Sequence, residues 1–168
     1  MQRHRGAYGY FSGERFASLG DPEDVTDEIA LNPAHFATRP MTEILSTLAH
    51  EIVHLWQHHF GKRPRRCYHN KQWAAKMRDI GLIPSATGQP GGKETGQQMT
   101  HYIEAGGRFD KACAAFLATH PAILYHDRAG EAQRKKKAAS KTNTPARPAA
   151  RTPGPSPPPT SSAANAMN

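Results

Sequence analysis

The strongest constraint on this chain is one helix-forming stretch, Thr42 to Phe60, with Pro40 before it and Gly61 and Pro64 after it. Those residues are ordinary helix punctuation, and Thr42 is placed to cap the first turn. At about 100° per residue, Leu45, Leu48, Ile52, Leu55 and Trp56 fall on one apolar stripe, which predicts the core-facing side. The same helix carries His50-Glu51-Ile52-Val53-His54. Histidines at i and i+4 project from one face, where both imidazoles can grip a single metal ion. By the same step angle they lie about 160–180° from the centre of the stripe, so they are expected to turn from the bulk core toward a cleft. Glu51, about 100° from His50, can stand beside a metal-bound water without ligating, as a general base must. The bland alternative is a charged, solvated helix face.

A catalytic zinc site needs three protein ligands and keeps a fourth position open. An extended HExxHxxGxxH motif would supply the third from the same segment, but Gln57 and Phe60 occupy its Gly and last His positions. Glu94 and Glu104 are downstream candidates. His69 is the better one, 15 residues after His54 and just ahead of a second helical pattern at 70–81. That pattern has Asn70 as its cap, Trp73, Met77 and Ile80 inward, and Gly81 at its end. Around these helices, Ala7–Ser12 and Asp27–Asn32 read as strands, Thr87–Thr95 as a loop, Met99–Ile103 as a strand and Arg108–Ala118 as a helix. The remaining chemistry-bearing residues take plainer readings. His58 belongs to a polar helix surface, His101 is structural, Tyr102 is a buried strand tyrosine, Cys67 is a packed or partly exposed thiol, and Trp56 and Trp73 are core.

The HExxH, a basic loop, a His 15 residues later and an aromatic four residues after that together resemble the SprT-like zinc metallopeptidases. The match runs through TEILSTLAHEIVHLWQHHFGKRPRRCYHNKQWAAKMRDIGLIPS, and continues in GYFSGERF and DEIALNP upstream and GGKETGQQMTHYI downstream. The resemblance implies zinc held by His50, His54 and His69, with Glu51 as catalytic base, acting on a protein substrate. It also implies a link to DNA, since eukaryotic relatives of the Spartan type cleave proteins crosslinked to DNA. Two departures stand out. Only about six residues precede the strand read from Ala7, where such domains usually begin with a helix and a further strand, so a sheet edge and core surface are expected to be uncovered. After Arg134–Thr142, where many members carry a zinc ribbon, no cysteine follows. Read one base out of frame, the tail's Ala codons can encode Cys, and cysteines at Ala146, Ala149, Ala163 and Ala166 would be spaced like such a ribbon. The tail is therefore read as a frameshifted relic, which the gene's nucleotide sequence tests.

Charge sharpens the DNA argument. The net charge of +8 resides mostly in residues 134–168, which hold seven basic groups, no acid and half of the 14 prolines. Such a segment buries too little apolar surface to offset its chain entropy and is expected to be disordered. Within the domain, residues 62–78 hold seven basic groups and no acid. Lys62, Arg63, Arg65 and Arg66 form a candidate phosphate-contacting rim next to the third ligand, against the alternative of a solvated loop. No apolar run approaches the roughly 18 residues of a membrane span, and the N-terminus lacks the apolar core of a secretory signal. The expected setting is the cytoplasm.

Together these readings predict an α+β, zincin-like domain over 1–133, with a short β-sheet packed on the HExxH helix, followed by a disordered tail over 134–168. The expected activity is zinc-dependent hydrolysis of peptide bonds in proteins associated with DNA. The alternatives are a non-catalytic DNA-associated module with a structural zinc, or an inactive truncated remnant.

Overall fold

The computed structural model describes residues 6–65 and 67–123. Arg66 and the tail from 134 onward, with the readings attached to them, lie outside the described residues.

The chain begins as an antiparallel hairpin of β1 (Gly9–Ala17) and β2 (Val25–Leu31), with Gly9 opposite Leu31 and Ser12 opposite Glu28. The strand expected to stop at Ser12-Gly13 runs on through an irregularity between Ser12 and Phe16, where Glu14 takes a left-handed φ of 52°. Its backbone N–H donates to Asp27 Oδ1 at 2.8 Å, which holds the bulge. A 3-10 turn at Pro33–His35 leads to α1 (Met41–Phe60). The helix starts one residue before Thr42, and Pro40 occupies the cap position without a side-chain cap bond.

Helix α2 (Lys71–Asp79) follows, capped as expected by Asn70, whose side chain accepts from the Trp73 N–H at 3.0 Å. Buried Gln57 of α1 donates to the same Asn70 oxygen at 2.8 Å, which ties the two helices together. Gly81 ends the segment at φ +85°, and a Cβ there would meet the Arg108 backbone nitrogen at 2.9 Å. Strand β3 (Leu82–Ser85) then pairs antiparallel with β4 (Thr100–Ile103), and α3 (Arg108–Thr119) closes the described fold.

The architecture is thus α+β, with a correction to the single sheet expected. The described residues form two separate two-stranded antiparallel sheets. Strand β3 escapes a sequence reading because its LIPS segment is only four residues long and contains Pro84.

A second correction concerns α1. Its buried residues are Ile44, Ser46, Thr47, Glu51, Val53 and Gln57. The apolar stripe is half-buried, and Ile52 is 47% exposed. Val53 packs with Trp73, Ala74, Met77 and Leu82 in the main core, so the histidine-bearing side of α1 faces the core. Periodicity failed here because it weights leucines above histidines, whereas the hairpin and α2 both dock on the polar side. Trp73 is fully buried, as a core residue should be, but Trp56 is only partly covered, with Lys76 Nζ 5.1 Å from its ring centre. Among the described residues, no helix is long and apolar enough to cross a membrane.

Candidate metal centre

Three elements bring the site together. Helix α1 supplies His50, Glu51 and His54, and the turn before α2 supplies His69. His69 is fixed by an isolated bridge to Gly96, with backbone bonds of 2.7 and 3.1 Å in the two directions. Trp73, one turn into α2, forms the platform beneath all three rings. Its centroid lies 4.9 Å from that of His50, 5.5 Å from His54 and 4.4 Å from His69. The aromatic four residues after His69 is therefore part of the site's floor as well as of the core.

The imidazoles converge through their Nε2 atoms. His54 Nε2 lies 3.2 Å from His50 Nε2 and 3.1 Å from His69 Nε2. Nitrogens about 2.0–2.1 Å from a tetrahedral zinc would stand about 3.3 Å apart, so this spacing fits an ion held by three imidazoles. The three ligand atoms form a group able to hold a metal ion. Burial holds these histidines neutral, with their lone pairs free. It pushes His50 well below 6.5 and His54 down to about 3, and it lowers His69 against opposing backbone hydrogen bonds at Gly96 and Gln97.

Glu51 is 7% exposed. Burial raises its carboxyl to about 7, although the Phe11 backbone N–H donates to it and stabilises the charged form. A carboxyl poised near neutrality beside three converging imidazoles suits a group that takes up and returns a proton. The cleft above this floor has a volume of about 1670 Å³. Strand β1 lines one part of it, and Pro64, Cys67 and Tyr68 of the basic loop line another, together with residues 97–103.

Other candidates fall elsewhere. Glu94 pairs with Arg78, Glu104 is exposed, and Cys67 is an exposed free thiol; none joins the three histidines. Tyr102 lines the cleft. His58 turns to β1, where its ring centre is 5.4 Å from that of Phe11. His58, His59 and Asp27 form a second group with ligand-type atoms close together. However, Arg63 Nη2 lies 2.9 Å from both His58 Nε2 and Glu14 Oε1, and His59 Nε2 is 2.6 Å from Asp27 Oδ2. The guanidinium already supplies the positive charge there, so the group is an ion-pair network at the end of α1.

In the basic loop, Arg63 is therefore partly neutralised, and the Arg65 guanidinium sits 4.5 Å from the Tyr68 ring centre. Lys62 and Arg65 have no acidic partner among the described residues.

Sequence reasoning missed three supports of the site. These are the Phe11 N–H on Glu51, the Gly96 carbonyl 3.2 Å from His69 Nδ1, and His101, whose Nδ1 lies 3.3 Å from His50 Nδ1. All three come from the flanking GYFSGERF and GGKETGQQMTHYI segments, whose residues are visible in the sequence but whose contacts with the α1 and His69 side chains are not.

A family model described as SprT-like matches residues 2–95, more than half of the chain. The chain belongs to the SprT-like family. No curated protein and no solved structure matches it. The span matched by the SprT-like model contains His50, Glu51, His54 and His69 but ends before β4, so it leaves out His101.

Proposed function

We propose that this SprT-like chain is a zinc-dependent peptidase with a zincin-like site, acting on proteins associated with DNA. The observation that carries this reading is the convergence of three histidine Nε2 atoms beside a buried Glu51 on the floor of an open cleft. Three neutral nitrogen donors suit zinc. Zinc bound there would supply a Lewis acid for the peptide carbonyl and a water of lowered pKa. The chain's own part is proton transfer and positioning. The Glu51 carboxylate accepts the proton lost by the attacking water and returns it to the leaving amine. Trp73 packs under the ligand rings, and the Gly96 carbonyl fixes the His69 ring through its Nδ1–H. A purely structural zinc would need neither a buried carboxyl at Glu51 nor an open cleft.

The DNA part of the reading rests on the loop that carries Lys62, Arg63, Arg65 and Arg66. Its described residues Pro64, Cys67 and Tyr68 line the same cleft, so a duplex held there would present bound proteins to the site. A cytoplasmic setting belongs to the same proposal, and the free thiols Cys67 and Cys113 suit a reducing compartment.

The test is zinc content together with cleavage of a DNA-bound protein, with and without DNA. Wild type should hold about one zinc per chain and cleave. Glu51→Gln should keep the zinc and lose cleavage. A variant as active as wild type would remove Glu51 as the base, and a wild type without zinc at neutral pH would remove the metal centre.

A further inference from the structure

The reading of His50 as a metal ligand through Nε2 has a consequence for its other nitrogen. A neutral imidazole that gives one nitrogen to a metal keeps its proton on the other. His50 must then carry a proton on Nδ1, and that proton needs an acceptor. The only described group at hydrogen-bonding distance from it is His101 Nδ1, at 3.3 Å. His101 lies on β4, opposite Pro84 of β3, and comes from 51 residues further along the chain.

We infer that His101 is a positioning residue for the metal centre, accepting the His50 Nδ1–H on its own Nδ1 and so fixing the ring and tautomer of His50. The inference rests on the metal-centre reading above. Only one proton fits between two facing ring nitrogens, so His101 carries its own proton on Nε2. His101 is not a fourth ligand through this atom. It meets His50 on the Nδ1 side, whereas His54 meets it on the Nε2 side. The two ring centres are 5.4 Å apart and tilted by 43°, which suits an edge contact between nitrogens.

The same logic operates at His69, where the acceptor is the Gly96 carbonyl. The two ligands that lie on either side of His54 are thus each held from behind by a β-bridged segment. His69 is backed by the residue it bridges, and His50 by a residue of the β3–β4 pair. Outer partners of this sort orient ligating imidazoles and raise their basicity, and their loss costs about 10–100-fold in metal affinity. A side chain serving only as packing would not distinguish an acceptor at this position from an apolar group of similar size.

That difference sets the experiment. Zinc affinity is measured by competition with a chromophoric chelator for wild type, His50→Ala, His101→Leu and His101→Asn. The visible spectrum of each cobalt-loaded protein is recorded alongside. Asparagine places its Oδ1 near the position of the lost Nδ1 and can accept the same proton; leucine cannot. His101→Leu should bind zinc about 10–100-fold more weakly and show an altered cobalt spectrum. His101→Asn should stay within a few-fold of wild type and keep its spectrum. Equal affinity and spectrum for wild type and His101→Leu would overturn the inference, as would an asparagine variant no better than the leucine one.

Nitrogen NMR of the zinc-loaded wild type needs no substitution and serves if the leucine variant fails to fold. It should find His50 protonated at Nδ1 and His101 at Nε2; a proton on His101 Nδ1 would refute the assignment. Failure of the metal centre itself has a different signature. Wild type would then take up no zinc, or His50→Ala would bind it as tightly as wild type does, and either result would overturn both readings.

Discussion

Replacing Glu51 by glutamine should stabilise the metal-free protein by an amount that grows with pH. The Glu51 side chain is buried at 7% exposure, and its carboxyl is pushed up from 4.5 to about 7 by that burial. The unfolded chain releases this proton near 4.5, so between 4.5 and 7 the folded protein holds more protons than the unfolded one. Stability from this group is full below 4.5 and is lost as pH rises through 7. At about 1.4 kcal/mol per pH unit, the penalty reaches about 2 kcal/mol at pH 6 and about 3 kcal/mol at pH 8. The glutamine variant cannot ionise and escapes it. Any constant cost of exchanging an oxygen for an amide cancels when the two pH values are compared. The gap between variant and wild type should therefore widen by about 1.4 kcal/mol from pH 6 to pH 8, or roughly 5 °C in Tm for a domain of this size. The window stays above pH 6 for a reason. His54 and His101, depressed to about 3 and about 4, leave the unfolded state holding more protons at lower pH, which destabilises the fold as pH falls below 6.5. Urea denaturation of chelator-stripped wild type and variant at both pH values measures the effect. A gap that does not change with pH would refute the assignment of a raised carboxyl to Glu51.

Trp73→Ala should cost about 3–5 kcal/mol in denaturation, since the ring is fully buried. It should also weaken zinc binding, because the rings of His50, His54 and His69 rest on it. Asn70→Ala removes the α2 cap and the acceptor of the Gln57 amide, and should cost about 1–2 kcal/mol in the same assay. If the basic loop holds DNA, replacing Lys62 and Arg65 together should lower the slope of log affinity against log salt by roughly 2. Arg63→Ala should change that slope less, because Glu14 already neutralises the guanidinium at 2.9 Å.

How far the site could be read in advance follows from how local each part is. The i, i+4 spacing of His50 and His54 fixes their shared face whatever surrounds the helix, and the Asn70 cap is equally local. His69 was within reach because the segment between it and His54 is short. The burial of α1 was not, since it depends on which surfaces the hairpin and α2 present to the helix. Ile52 ended at 47% exposure while Glu51, its neighbour, was buried. Strand β3 was hidden by Pro84, and with it the β4 register that brings His101 to His50. Gly96 meets His69 across 27 residues with no side chain to signal the contact.

The inverted burial of α1 is what suits the three histidines to holding a metal ion. A helix that buried its leucines and left its histidines in water would present imidazoles titrating near 6.5, partly protonated and free to rotate. Here the histidine face lies on Trp73, and desolvation pushes His50, His54 and His69 all downward, so a cation arriving at neutral pH meets lone pairs and displaces few protons. The same burial raises Glu51 toward neutrality instead of lowering it. One packing choice thus moves the bases and the acid in opposite directions, and leaves the half-ionised Glu51 carboxyl beside neutral imidazoles in the metal-free site near pH 7. The cost falls on the other side of the helix, where Ile52 stays half in solvent.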